Sequence, residues 1–328
     1  MKQILINSNI ENLAKNYKNN FSVKKQDIVN SLEDLKNKYT NHDEILYLNN
    51  IINNYDKIII AKPSEIVSKW IGVFGVIPDY EYEDKCFYKS IVDAMRYNDV
   101  RSIYFIKFLK EFEINCCIYC HMQSTLITEI LYKRTTPLED GTIKMRGDLR
   151  KYKAFLELDH FYSKSEFPFL STSFYNLYPV CSNCNKSKAK KKIDYFDFYI
   201  DDIANEQKFQ FYITEESKVK YLTSNNREDF EIKLSHPNKE IKNNYNNDFN
   251  IELTYNKQKD IVEELFFKQK QYTKIYKESV EDILDMNSTD EYMFKRIILG
   301  NYFDEKDIHK RPLAKFYQDI AKNLKLFK

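Results

Sequence analysis

The sequence predicts an α+β protein in three parts: a helical N-terminal region (1–113), a small central unit (114–195) and a mixed α/β C-terminal region (196–328). Three observations carry that reading. Apolar residues recur at helical spacing through the first hundred or so residues. Two Cys-x-x-Cys pairs, Cys117/Cys120 and Cys181/Cys184, bracket a stretch with strand-like segments. Short alternating runs followed by a long apolar stripe fill the last third. At 328 residues the chain exceeds a typical single domain. Its 43% apolar content supports real cores, and 30% charged residues fit a water-soluble protein. A formal net charge of +2 supplies no global field, so affinity for nucleic acid must come from local patches. No apolar run approaches bilayer-spanning length, and the opening Met1-Lys2-Gln3-Ile4 lacks the apolar core of a secretory signal. A cytoplasmic location with no membrane partner is therefore expected, where paired cysteines read as metal ligands before disulfides.

Along the chain, Ile28, Leu32, Leu35 and Tyr39 lie on one helical face, and Asn41 with Glu44 reads as a capping box for the next helix. Pro63 and Ser64 open a short segment around Trp70 that Gly72 and Gly75 close. Two more helices are expected near 84–97 and 100–112. Their stripes, Phe87/Ile91/Met95 and Phe105/Phe108/Phe112, read as core, and Cys86 as a buried thiol. A strand is expected over 124–132, a turn at 137–141 and an exposed basic stretch at 146–153. The strand 154–158 should present Asp159 and His160 at its far end, and a helix should cover 182–192. Beyond it, strands are expected at 208–214, 218–223, 229–235 and 249–254, with a surface loop at 237–247. One long helix should carry Ile261, Leu265, Tyr272, Tyr276, Val280 and Ile283; Ser288 with Glu291 reads as a second capping box, and Arg311-Pro312 as the start of a terminal helix.

Zinc takes four thiolates tetrahedrally, and two Cys-x-x-Cys knuckles supply them with little strain. Cys117, Cys120, Cys181 and Cys184 are thus the expected ligands of one structural Zn²⁺, with Cys116 and His121 as alternative ligands. Such a closed site catalyses nothing; it holds together a ββα unit too small to bury enough apolar surface alone. Hydrolysing a phosphodiester needs an activated water and a cation to take up developing charge. His160 suits the first task, because an imidazole titrates near working pH. Asp159 and the amide oxygen of Asn185 are the oxygen donors that Mg²⁺ or Mn²⁺ prefers. Lys186, Lys188, Lys190, Lys191 and Lys192 crowd the following helix and are placed for backbone phosphates.

Four features occur here in a fixed order: Leu158-Asp159-His160, Asn176-Leu177-Tyr178-Pro179, Cys181-Ser182-Asn183-Cys184-Asn185, and the lysines that follow. Together with the upstream Cys117/Cys120 pair, this order resembles the HNH endonuclease family in its four-cysteine zinc subtype. The resemblance covers roughly 115–192 and implies a central ββα-metal module. It implies His160 as general base, Asp159 and Asn185 as ligands of a catalytic Mg²⁺ or Mn²⁺, and Asn176 as the brace of the loop between them. The implied activity is hydrolysis of DNA to a 5′-phosphate and a 3′-hydroxyl. Ser163 stands where the family commonly has proline, and His121 where it commonly has glycine. The chain is also similar to stand-alone HNH nucleases of bacterial anti-phage systems such as Septu, which implies an ATPase partner. No Gly-x-x-x-x-Gly-Lys-Ser/Thr loop is present, so that ATPase would be a separate protein, with the aromatic face of 256–285 as a candidate docking surface. A second reading is a non-catalytic zinc-stapled module that binds nucleic acid or a partner protein.

Overall fold

A computed structural model describes every residue except 76–80, 83–84, 190, 192, 194, 273–275, 277, 280–287 and 328. It is a mixed α+β protein, 55% helical, whose described strands pair only in twos. The helix Ser8–Lys36 opens on Asn7, whose side chain accepts from the Ile10 amide at 3.0 Å. Its face of Ile28, Leu32 and Leu35 is buried as the spacing predicts. Asn41 caps the next helix, His42–Ile58, accepting from Asp43 N–H at 2.9 Å. Pro63 starts a third helix that runs through Gly72 and a π turn at Ile66–Trp70 to Phe74. Only Gly75, at φ +60°, ends it, because glycine enters the left-handed region without steric cost. Phe87–Ala94 and Phe105–Glu111 complete the helical region, joined through the short helix Tyr97–Asp99 and a π turn at Val100–Tyr104. Cys86 is half-buried rather than buried.

These helices clasp the loop after His160. Tyr17 packs against Phe105, Phe108 and Phe174, and its hydroxyl donates to the Thr172 carbonyl at 2.8 Å. Phe174 N–H donates to the Ile59 carbonyl at 2.8 Å, and Phe74 stacks on Phe169 at 4.0 Å. Burying each such aromatic side chain contributes on the order of 1.5–3 kcal/mol. The loop Ser171–Thr172–Ser173 is held without solvent contact by a frame drawn from the first hundred residues.

The central unit departs from a single long strand. Leu149–Phe155 pairs antiparallel with Leu126–Leu131, and the chain then breaks at Leu156. Glu157–His160 forms a new ladder with Leu177–Val180, so Asp159 and His160 lie within the ladder rather than beyond a strand end. The hairpin at Pro137–Gly141 is present, its arms Thr136–Pro137 and Ile143–Lys144 paired. The helix that follows Cys181 is shorter than expected, Ser182–Lys188.

In the last third, the strands Gln210–Ile213 and Ile232–Ser235 pair antiparallel as predicted. The segments expected as strands at 218–223 and 249–254 are helical instead, within Glu215–Ser224 and Ile251–Tyr255, and the expected loop at 237–247 lies in the helix Lys239–Phe249. Local capping decides each case. Thr214 accepts from Ser217 N–H, Asn238 accepts from the Glu240 and Ile241 amides, and Asn250 separates two helices at φ +50°. Of the long predicted helix, Lys259–Gln271 is observed, with Ile261, Val262, Leu265 and Phe266 buried on the core; Val280 and Ile283 lie outside the described residues. The helix Ser288–Leu299 begins at the residue expected to cap it, and the terminal helix spans Ala314–Asn323. A single apolar cluster runs through all three regions, from Met1 to Leu326. No helix among the described residues is long and apolar enough to cross a membrane.

Candidate functional site

The first knuckle is built by a tight turn: His121 N–H donates to the Cys117 carbonyl, and Cys117 N–H to that of Gln123, each at 2.8 Å. It docks on the second strand of the ladder through Ile118 N–H to Pro179 C=O at 3.3 Å. The second knuckle opens the site helix, with Cys181 as its N-cap accepting from Cys184 N–H at 3.5 Å. The sulfurs of Cys117, Cys120, Cys181 and Cys184 all lie within 4.8 Å of one another. A zinc–sulfur bond of about 2.3 Å places tetrahedral sulfurs roughly 3.8 Å apart, a spacing compatible with this cluster. Burial, and hydrogen bonding among the thiols, push Cys117 well up; hydrogen bonds from Cys117, Cys120 and Cys184 pull Cys181 down. A pocket in which four thiols converge suits a soft divalent ion. The four-cysteine cluster therefore fits a structural metal such as zinc.

Beside it, the site helix runs against the strand Glu157–His160. Asn185 donates its amide to Glu157 at 2.5 Å, and one turn later Lys188 reaches Asp159 at 3.0 Å. Glu157 and Asp159 share a strand face because side chains alternate. Asp159 is 7% exposed and also accepts from the Tyr119 hydroxyl. Burial raises its carboxyl above the usual range, against the pull of Lys188 and Tyr119. The Lys188 ammonium additionally donates to the His160 carbonyl at 2.7 Å. Lys188 is thus buried inside the site and does not offer itself to solvent phosphates, a correction to its expected role. Its four-carbon stem crosses the strand edge, and the ammonium there finds a carboxylate and a carbonyl.

His160 points to the other strand face. Its Nε2 lies 2.9 Å from the Ser171 carbonyl, which fixes the proton on that nitrogen and leaves the lone pair on Nδ1. Tyr97 packs over the imidazole at 4.6 Å, with Lys164 4.2 Å above the Tyr97 ring. Burial holds His160 down to about 3, so the ring is neutral at working pH. Asn176 braces the loop fully. Its Oδ1 accepts from Tyr162 N–H at 2.7 Å, and its Nδ2 donates to the Tyr162 and Leu170 carbonyls at 3.1 and 3.0 Å.

The structure thus sets Asp159, His160, Asn176 and Asn185 on one strand–loop–helix unit, but pairs Asn185 with Glu157 and Asp159 with Lys188, rather than Asp159 with Asn185. The donors open to solvent are those of Glu157 and Asn185, which line a cavity of about 420 Å³ with Arg101, Ser102, Tyr152 and Leu158. The Asn185 amide, with Ser182, holds the Glu157 carboxyl below its ordinary range. A carboxylate and an amide oxygen fit a hard divalent cation. Glu157 and Tyr119 were missed from sequence, although Glu157 stands two residues before Asp159 and so on the same strand face. Of the remaining basic residues, Lys186 is exposed, Lys191 is exposed and pairs with Asp248 at 2.8 Å, and Lys190 and Lys192 lie outside the described residues. No protein family, curated protein or solved structure matches this chain.

Proposed function

We propose that the chain is a metal-dependent endonuclease of the HNH type that hydrolyses phosphodiester bonds of DNA. The observation that carries the reading is the tethered imidazole. Ser171 anchors Nε2, Asn176 braces the loop that carries Ser171, and burial keeps His160 neutral with the Nδ1 lone pair free of that anchor, on the strand that also bears Glu157 and Asp159. In this reading the imidazole has to turn from the strand face opposite Glu157 and Asp159, after which Nδ1 takes the proton of the attacking water and a phosphate anion beside the ring raises its basicity. Asn185 with Asp159 and Glu157 would hold Mg²⁺ or Mn²⁺, whose contribution is to stabilise the charge that builds on the phosphate oxygens. Lys188 favours the ionised form of Asp159 and has to yield its place for that carboxylate to reach a cation. Arg101 and Lys186 flank the opening and suit backbone phosphates. A role in anti-phage defence beside a separate ATPase rests on the family resemblance.

The burial of Asp159, His160 and Lys188 favours a second reading. There the Asp159–Lys188 pair is purely architectural, and the chain is a zinc-stapled module that binds nucleic acid or a partner without cutting. Plasmid nicking separates the two. The first reading expects cleavage with Mg²⁺ or Mn²⁺, none with EDTA, and none from His160→Ala protein that retains zinc, fold and DNA affinity. Undiminished nicking by that variant would end the proposed mechanism; metal-independent binding without nicking would establish the second reading.

A further inference from the structure

We propose that Cys116, His121 and His309 form a second metal site, separate from the four-cysteine cluster, that takes a zinc ion and ties the C-terminal segment Glu305–Lys310 to the cysteine knuckle. One ligand atom of each residue lies within 4.8 Å of the other two. The adjacent cysteines serve different sites for a backbone reason. Cys116 bridges Ser124 and Cys117 donates to Gln123, so the chain is extended there and successive side chains point to opposite sides.

Three ring nitrogens at this place are sealed from solvent, Nδ1 of His121 and both of His309; the Gln3 backbone approaches the His309 ring, and that one contact still leaves a His309 nitrogen without a partner. Buried polar atoms in a native fold are almost always partnered, so each unpartnered one asks for a ligand. His121 keeps Nε2 at 3.4 Å from the Lys2 amide, at the outer limit of a hydrogen bond. A neutral imidazole has one lone pair, and either nitrogen can turn it toward the ion. The backbone adds weight. His121 sits at φ +54°, where a non-glycine residue is unfavourable, yet it is held there by Leu313 N–H donating to its carbonyl at 2.7 Å. His309 is fixed in the same way, its carbonyl accepting from Asn115 N–H at 2.8 Å.

One thiolate and two imidazoles form the mixed sulfur–nitrogen set that zinc accepts, with the fourth position open to water. Binding releases the Cys116 thiol proton, which the thiol otherwise directs at the His309 carbonyl 3.5 Å away. The nearby amino groups do not oppose a dication at full strength: Lys315 is paired with Asp319 at 2.8 Å, Lys2 with Glu206 and Glu305, and burial pushes the Met1 α-amino group, which also acts on both imidazoles, well down from its ordinary value.

The test is metal analysis of the full chain purified with zinc and dialysed against buffer without metal. The proposal expects about two zinc ions per chain, falling to about one in Cys116→Ala and in His309→Asn. Zinc X-ray absorption of the wild-type protein gives a readout that needs no variant, and imidazole scattering beside sulfur is expected. About one zinc per chain with an all-sulfur shell would overturn the proposal. So would about two ions that both persist in the two variants.

Discussion

Replacing Lys188 with methionine tests how the centre of the site is held. The ammonium lies 3.0 Å from Asp159 Oδ2 and 2.7 Å from the His160 carbonyl, with its side chain 1% exposed. Methionine keeps the stem's volume but leaves the Asp159 carboxylate buried with no cation, held only by hydrogen bonds from the Tyr119 hydroxyl and the His160 amide. Breaking a buried ion pair from one side costs about 3–5 kcal/mol, because desolvation of the surviving charge is no longer offset. The sign with pH follows. Asp159 has a folded pKa already above its ordinary value, and losing Lys188 raises it further. The folded variant then binds a proton more readily than the unfolded chain, so its deficit relative to wild type narrows as pH falls toward about 4. Removing both charges, in Asp159→Asn/Lys188→Met, should cost less than Lys188→Met alone, with a coupling of about 2–3 kcal/mol. Urea denaturation of zinc-loaded protein, followed by circular dichroism and by the fluorescence of the buried Trp70, measures all four corners of the cycle. A Lys188→Met loss under about 1 kcal/mol, or strictly additive losses, would refute the argument.

Asn176→Ala should cost about 2–4 kcal/mol, since it strips the Tyr162 amide and the Leu170 and Tyr162 carbonyls of a buried partner at once. A change within about 0.5 kcal/mol in the same denaturation assay would show that the loop does not depend on it. His160 is held by burial to about 3. Its folded value lies below the ordinary imidazole value, so the unfolded chain binds more protons in acid. Its contribution to stability is present above about pH 6.5 and falls by about 1.5 kcal/mol by pH 5. A pH dependence between those two values that is the same in wild type and in His160→Ala would contradict the burial of this imidazole. Finally, replacing Lys186 and Lys191 with glutamine should weaken DNA binding for every sequence alike, and lower the slope of log affinity against log salt by about 2. An unchanged slope would remove them from the interface.

Much of this arrangement is legible in the linear order of residues, and the failures have local causes. The thiol pairs could be read because zinc chemistry leaves few choices of residue and spacing. The brace at Asn176 could be read from the family resemblance, and the structure supplies its three bonds. The strands expected at 218–223 and 249–254 failed because four to six residues do not separate a two-residue from a 3.6-residue period, and the caps at Thr214, Asn238 and Asn250 decide the outcome. Composition hid the helix Lys239–Phe249. Four asparagines mask an apolar stripe of Ile241, Tyr245 and Phe249 at four-residue spacing. Lys188 was misplaced for a different reason: a run of lysines reads as a solvated face, and nothing in the run says which member turns inward.

The hydroxyls of Tyr245 and Tyr255 donate to the carbonyls of Tyr119 and Cys120, at 2.6 and 2.7 Å. Both phenols come from the far end of the sequence, yet they finish the main-chain bonding of the first cysteine turn. The sulfur cluster is therefore not a cassette that can be excised and transplanted with its neighbouring residues. An isolated fragment spanning 114–195 would carry every thiol and still lack two of the donors that shape the turn presenting them.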